Sequence, residues 1–160
     1  MRKESDEVQV VSFKLENEEY GIPINQVKEI INLAEVTPLP DVNSTIEGVI
    51  NLRGEIIPII NLKKRLGLAN TDYPPEARII VIEIDKQLLG LKVDEAVEVL
   101  HLDIKDIQNL PESFLQVENQ HLLAGVGKLE ERLIVLLDLR RVLSCEDVET
   151  LQKQTEEIHV

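Results

Sequence analysis

The residue types that most often carry catalysis or bind metals occur in this sequence, but their spacing does not assemble a site. The three histidines, His101, His121 and His159, are scattered, and none has a second histidine one helical turn away. No serine is flanked by glycines at nucleophile-elbow spacing, and Gly125-Val126-Gly127 lacks the third glycine of a phosphate-binding loop. Cys145 precedes an acidic stretch, which disfavours a reactive thiolate. The sequence therefore predicts no catalytic residue, no metal site and no cofactor.

Composition and charge exclude further classes of function. The chain has 160 residues, with 30 acidic against 17 basic residues and a formal net charge of −13. This balance disfavours nucleic acids and anionic membrane surfaces as partners. The apolar runs are only about five residues long, far too short to span a bilayer, and the N-terminus lacks the apolar core of a signal peptide. We therefore expect a soluble, cytoplasmic protein with no nucleic-acid partner and no direct membrane insertion.

The sequence contains an internal repeat. A shift of 69 residues places Val10–Glu16 on Ile79–Asp85, and a shift of 77 residues places Ile59–Lys64 on Leu136–Arg141. The difference between the two shifts, 77 − 69 = 8, means that the second copy has eight additional residues in its middle loop. Matched apolar and charged positions over this length favour duplication over chance. Two copies are too few for a solenoid, so they are expected to form a pseudo-twofold pair.

Alternating apolar and polar residues predict a β-hairpin at the start of each copy. In the first copy, residues 11–15 and 20–24 alternate, and a turn is expected at Asn17-Glu18-Glu19. The next segment, 26–31, fits either a helical turn or a strand. The equivalent Val97-Glu98-Val99 of the second copy is β-branched and alternates, which favours the strand.

A second hairpin follows, with arms at Gly48–Leu52 and Ile56–Ile60 in the first copy. Proline cannot donate a ladder hydrogen bond, so Pro58 is expected at a sheet edge or a bulge. Asn61 and Asp138 each precede a short segment that they can cap as a helix.

About five short strands per copy predict a mainly β fold of two pseudo-symmetric, five-stranded, SH3-like barrels with short helices. We expect one domain over residues 8–145, built from copies at about 8–70 and 77–145 that share one core, with a linker at Ala69–Ala77. Residues 146–160 are expected to form an acidic C-terminal helix. This architecture is typical of a binding module. The alternative is a small-molecule-binding protein or an enzyme with a site between the two barrels.

The segment Gly48-Val49-Ile50-Asn51-Leu52-Arg53-Gly54, followed by Ile57-Pro58-Ile59-Ile60-Asn61-Leu62-Lys63, resembles the signature of the CheW family. The resemblance extends over about residues 8–145, and Asn61 departs from it because many members have Asp there. Members of this family are cytoplasmic adaptors that link chemoreceptors to the chemotaxis histidine kinase CheA. The resemblance therefore implies a non-enzymatic adaptor whose partners are the CheA regulatory domain and the receptors' cytoplasmic tips. A CheA kinase or a CheV-type adaptor would need further domains, so the length favours a stand-alone adaptor.

The same resemblance implies two sets of partner-facing residues. The receptor-facing set is Val27, Gly48, Asn51 and Arg53, and the kinase-facing set is Ile24, Glu29, Ile30 and Leu39. The alternative for the apolar members is a place in the barrel core.

Arg53 and Gly54 have no counterpart in the second copy, which has Glu130-Glu131 there, so the fold alone does not require them. The alternative for Arg53 is a solvated charge beside a glycine that permits the turn. Because Glu29 and Arg53 both lie in the matched motifs of the first copy, we expect the Glu29 carboxylate to hold the Arg53 guanidinium.

Overall fold

A computed structural model describes residues 7–40, 45–109 and 123–143. In these residues the strands are β1 Glu7–Leu15, β2 Glu18–Pro23, β3 Val27–Asn32, β4 Ile46–Leu52, β5 Glu55–Asn61, β6 Arg78–Ile84, β7 Gln87–Val93, β8 Glu95–Asp103, β9 Ile107–Gln108, β10 Leu123–Leu129 and β11 Arg132–Leu137. The same described residues contain two short helices, α1 Leu62–Arg65 and α2 Leu139–Val142, and 3-10 turns at Ile24–Gln26 and Ile104–Asp106. No helix among the described residues is long and apolar enough to cross a membrane.

The strands form two sheets, each of which curls into a barrel. The sheet of barrel A has the order β8-β1-β2-β11-β10-β9, and that of barrel B has the order β3-β6-β7-β5-β4. The predicted fold class, mainly β with two SH3-like barrels, is confirmed. Barrel A has a sixth strand because the two-residue β9 pairs with β10.

The two barrels do not coincide with the two copies of the repeat. The hairpin β1–β2 of the first copy lies between β8 and β11 of the second copy. Reciprocally, β6–β7 of the second copy lies between β3 and β5 of the first. Each copy therefore gives its first hairpin to the other copy's barrel, and the linker Ala69–Ala77 does not separate the barrels.

Three apolar clusters hold this arrangement together. Barrel A is filled by Val10, Leu100, Leu102, Ile134 and Leu136, and barrel B by Ile50, Ile57, Ile59, Ile79 and Val81. The largest cluster, here called the inter-barrel cluster, lies between them and draws on both copies: Val11, Phe13, Leu15, Ile22, Ile46, Ile60, Leu62, Ile80, Ile82, Ile84, Leu89, Leu91, Val93, Leu137, Leu139, Val142 and Leu143. Strand β6 contributes to two of these clusters, because Ile79 and Val81 point into barrel B while Ile80, Ile82 and Ile84 belong to the inter-barrel cluster.

The first hairpin of the first copy turns one residue earlier than the polar pattern indicated, and the second copy has the same turn. In the first copy the turn residues are Glu16 and Asn17, with φ of 56° and 70°, and Asp85 and Lys86 of the second copy have 50° and 69°. Two consecutive positive φ values are typical of a type I′ turn, whose twist matches that of the flanking strands. β2 therefore begins at Glu18.

Pro58 lies neither at a sheet edge nor at a bulge, the two places predicted from the sequence. Strand β5 is internal to the barrel B sheet, and the register shift in its ladder with β4 lies between Ile46 and Gly48, away from Pro58. Pro58 pairs with Val49 of β4, and the parallel ladder between β5 and β7 begins only at Ile59, opposite Gly90. Proline lacks an amide hydrogen, and position 58 comes just before the β5–β7 ladder begins. No ladder hydrogen bond is therefore lost there, which is why proline is tolerated.

Several local predictions are confirmed. Segment 26–31 is largely strand, as part of β3, and Val97-Glu98-Val99 lies in β8. Asn61 caps α1, since its Oδ1 accepts a hydrogen bond from Lys64 N at 3.2 Å, and Asp138 caps α2 in the same way through Arg141 N at 3.4 Å. The predicted helix at 146–160 and the eight-residue insertion of the second copy lie outside the described residues.

The structure explains why residue 61 is asparagine, where the sequence signature more often has aspartate. The buried Asn61 side chain donates through Nδ2 to Glu47 Oε1 at 3.0 Å and to the Thr71 carbonyl at 3.3 Å, while Oδ1 accepts from the Tyr73 hydroxyl at 3.0 Å. An aspartate has no donor for Glu47 and would place two carboxylates against each other. Asparagine is therefore the residue that fits beside Glu47.

A buried lysine connects segments of both barrels. The Lys63 side chain is 2% exposed, and its Nζ lies 2.6 Å from Asp94 Oδ1 and 2.9 Å from Glu16 Oε1. Nζ also donates to the Asp72 carbonyl at 2.6 Å and lies 4.5 Å from the Tyr73 ring centre. Burial by itself lowers the pKa of the ammonium, but the Asp94 and Glu16 carboxylates outweigh it, so the pKa of Lys63 is raised. The ammonium thus stays charged and ties the linker to both barrels.

The second copy repeats this tie in an exposed form. Arg140 aligns with Lys63 and Asp85 aligns with Glu16. Arg140 donates two hydrogen bonds to the Asp85 carboxylate, at 2.9 and 3.1 Å, but its side chain is 63% exposed. The repeat therefore places one buried and one exposed ion pair at equivalent positions.

Candidate protein-interaction site

The hairpin between β4 and β5 ends in a tight turn that presents Arg53. Arg53 and Gly54 have φ of 52° and 91°, and the Gly54 amide donates to Asn51 Oδ1 at 2.9 Å. Asn51 thus fixes a turn that requires positive φ at both central residues. As a result the Arg53 side chain projects from the hairpin and is 70% exposed.

The predicted pairing of Arg53 with Glu29 is confirmed. Arg53 Nη2 lies 2.5 Å from Glu29 Oε1. Glu29 belongs to β3, one edge strand of the barrel B sheet, and Arg53 follows β4, the other edge strand. The ion pair therefore spans the two edges at one end of barrel B. Since the arginine is exposed, the pair is worth at most about 1 kcal/mol of stability.

This end of barrel B is an open cleft of about 390 Å³, which we call the barrel B mouth. Glu29 and Arg53 form part of its rim, and Leu52 and Leu88 line it. A second rim ion pair joins Lys28 Nζ to Glu83 Oε2 at 2.6 Å. An apolar floor inside a charged rim suits a partner that presents one charged group beside apolar side chains.

Gly48 allows the backbone of segment 33–40 to approach β4 closely. Its φ is +148°, and an added Cβ would lie 2.1 Å from the Thr37 carbonyl oxygen. Thr37 pairs with Val49 through hydrogen bonds of 2.8 and 2.9 Å, so segment 33–40 runs along the outer edge of β4. This segment carries the half-buried Leu39. Gly48 is itself buried and sets the position of Leu39's segment.

The three remaining candidates lie around the start of β3. Ile24 and Val27 are half-buried and pack against the inter-barrel cluster, so they have a structural role as well. Ile30 is an exposed aliphatic residue on an edge strand. The receptor-facing and kinase-facing sets are not separated in space, because the Arg53–Glu29 ion pair joins a member of each.

Sequence comparison missed the counterpart of Arg53 in the second copy. Arg132, two residues beyond the position aligned with Arg53, has Nη2 3.0 Å from Glu98 Oε1, and Glu98 aligns with Glu29. Arg132 also donates to both carboxylate oxygens of Glu19, which lowers the pKa of Glu19 and raises that of Arg132. The alignment of Glu98 with Glu29 was the signal in the sequence. It could have prompted a search of the whole β10–β11 hairpin for an arginine that pairs with Glu98.

The fold and this site define a class of protein. Among residues 7–40, 45–109 and 123–143, no group of three or more His, Cys, Asp and Glu side chains could hold a metal ion. What the structure does present is an exposed arginine–glutamate pair, an edge strand with an exposed isoleucine, and an open barrel end. These features are typical of a β-barrel protein-interaction module.

Comparison with known proteins places the chain within this class. The CheW-like domain family model matches residues 9–147. The chain is 36% identical over 136 residues to the chemotaxis protein CheW of Klebsiella aerogenes, covering 85% of this chain and 81% of the relative. It is also 36% identical over 137 residues to the CheW of Bacillus subtilis, covering 86% and 87%. The crystal structure of the scaffolding protein TtCheW from Thermoanaerobacter tengcongensis superposes with a TM-score of 0.79 at 34% identity, over 88% of this chain and 94% of that one. The chain belongs to the CheW family.

Proposed function

We propose that this protein is a non-enzymatic cytoplasmic adaptor that couples chemoreceptors to the histidine kinase CheA. Membership of the CheW family carries the proposal, and the exposed Arg53–Glu29 pair at the barrel B mouth supports it. The alternative, a small-molecule site between the barrels, is disfavoured because the inter-barrel cluster fills that space.

An adaptor without chemistry of its own regulates a kinase by holding two partners in a fixed geometry. Tethering raises the effective concentration of one partner near the other to about millimolar over short spans. We assign the set Val27, Gly48, Asn51 and Arg53 to the receptor surface, where the buried Gly48 positions the backbone and makes no contact itself. The set Ile24, Glu29, Ile30 and Leu39 is assigned to the surface for the CheA regulatory domain. Ile30 on the edge strand and Leu39 beside β4 support a kinase surface at the edges of the barrel B sheet.

Titrations with a CheA regulatory domain and a receptor-tip fragment test this bridging function. We expect both to bind at once, each with an affinity of about micromolar. Leu39→Glu is expected to reduce kinase binding and spare receptor binding, and Val27→Phe to do the reverse. Because Val27 packs against the inter-barrel cluster, the melting temperature of each variant is measured alongside. Mutual exclusion of the two partners would replace the bridge with a single-site binder.

Arg53→Glu is expected to weaken receptor binding by about tenfold or more while leaving the melting temperature nearly unchanged. The reason is that Arg53 is exposed and its ion pair adds little stability, whereas the charge faces the partner. Lys128→Glu is the matched control, since it makes the same charge change at the exposed hairpin end of barrel A. Unfolding of the Arg53 variant at low temperature would make Arg53 a structural residue instead.

A further inference from the structure

The two copies of the hairpin site differ in how many carboxylates surround the arginine. In barrel A, Arg132 is held by two carboxylates, those of Glu98 and Glu19, and is 37% exposed. In barrel B, the ion-pair partner of Arg53 within the described part of the chain is Glu29, and Arg53 is 70% exposed. Glu29 and Glu98 are equivalent residues of the repeat. Among the described residues, Arg53 thus has one carboxylate partner where Arg132 has two.

The residue at the position of that second carboxylate is Leu88. The shift of 69 residues that aligns the first hairpins places Glu19 on Leu88. The ladders agree with this alignment, because Glu19 pairs with Lys14 in β1 and Leu88 pairs with the equivalent Glu83 in β6. Leu88 therefore occupies, in barrel B, the place from which Glu19 reaches the arginine in barrel A.

The parallel ladders β2–β11 and β7–β5 have the same register, so Glu19 and Leu88 occupy equivalent positions along the strands next to the two hairpins. In barrel A, Gly21 of β2 lies opposite Leu136 of β11, and in barrel B the equivalent Gly90 lies opposite Ile59. Leu88 also lines the barrel B mouth together with Arg53 and Glu29. The barrel B mouth thus has an apolar side chain at the position from which Glu19 reaches Arg132 in barrel A, and the charged residues Lys28, Glu55, Glu83 and Lys86 line the rest of it.

We propose that Arg53 binds a carboxylate supplied by the receptor tip, an Asp or Glu side chain that takes the place Glu19 has at Arg132. This inference rests on the proposed adaptor function. A guanidinium has five N–H donors in a planar fork, so it can hold Glu29 and a second carboxylate at once, as Arg132 does. In a chain of net charge −13, a local cation of this kind is what an acidic group on a partner requires.

Leu88→Glu tests the proposal by supplying the missing carboxylate from within the chain. The new carboxylate is expected to pair with Arg53, shift the Arg53 Nε–H signal in nitrogen-15 NMR spectra, and weaken binding of a receptor-tip fragment about tenfold or more. Leu88→Gln is the matched control, with nearly the same shape and no charge. Because it also removes an apolar side chain from the barrel B mouth, it is expected to weaken binding about threefold, clearly less than Leu88→Glu. The melting temperature of both variants is measured in parallel as the control for folding, because residue 88 lies opposite Glu83 and a glutamate there meets a like charge.

The outcomes separate this inference from the function on which it rests. A wild-type chain that binds neither partner would overturn the proposed function, and the carboxylate proposal with it. If Leu88→Glu binds the receptor tip as tightly as wild type does, the carboxylate proposal alone is overturned. The same holds if Leu88→Gln loses as much affinity for the receptor tip as Leu88→Glu does.

A partner-side scan avoids any change to the fold of this chain. Each Asp and Glu of the receptor tip is replaced by Asn or Gln, and binding is measured to wild type and to Arg53→Gln. One replacement is expected to weaken binding to wild type about tenfold and to have no further effect on Arg53→Gln. If no acidic residue of the tip shows this coupling, Arg53 does not bind a receptor carboxylate.

Discussion

A fragment that ends at residue 72 is expected to be unfolded on its own. It retains β3, β4 and β5 of barrel B but loses β6 and β7, which lie between β3 and β5 in the sheet. Its hairpin β1–β2 loses both neighbours, β8 and β11. The fragment therefore keeps neither complete barrel and exposes the apolar faces of every strand it contains. Circular dichroism and a thermal melt are expected to show no cooperative transition.

The complementary fragment, residues 73–160, provides the control. Mixing the two fragments is expected to restore a cooperative melt, because the exchanged hairpins let each half complete the other half's barrel. A cooperative transition in the fragment ending at residue 72 alone would show that the first copy folds without the exchange.

Lys63→Met is expected to lower the free energy of unfolding by about 3 kcal/mol. Its ammonium is buried and contacts Asp94, Glu16 and the Asp72 carbonyl, so its removal leaves the mostly buried Asp94 carboxylate without its cation. Methionine fills nearly the same volume, which keeps the cavity contribution small. Urea denaturation of the variant measures the change.

Arg140→Met is the matched control for that experiment. Arg140 and Asp85 are the repeat equivalents of Lys63 and Glu16, but both are exposed, and we expect a loss of at most about 1 kcal/mol. Equal losses in the two variants would mean that burial does not distinguish the two ion pairs.

The sequence alone determined those features that depend on neighbouring residues. Alternation at residues 11–15 predicted a strand, the segment Arg53-Gly54-Glu55 predicted a hairpin turn, and Asn61 was recognised as a helix cap. These properties depend on a few adjacent residues. The repeat added the mainly β, two-barrel fold class, since matched positions imply equivalent local structures. Glu29 was identified as the partner of Arg53 because both lie in matched motifs of the first copy.

Only the tertiary structure decided which strands pair across the two copies. The alternation within β1 is equally compatible with pairing to β3 of its own copy or to β8 of the other, and the structure selects β8. The contact of Arg132 with Glu19 and the position of Leu88 in the same cleft as Arg53 follow from that exchange and could not be read from the alignment. The physical reason is that pairing over such separations depends on how whole sheets close and cover their apolar faces, and no short stretch of sequence contains that information.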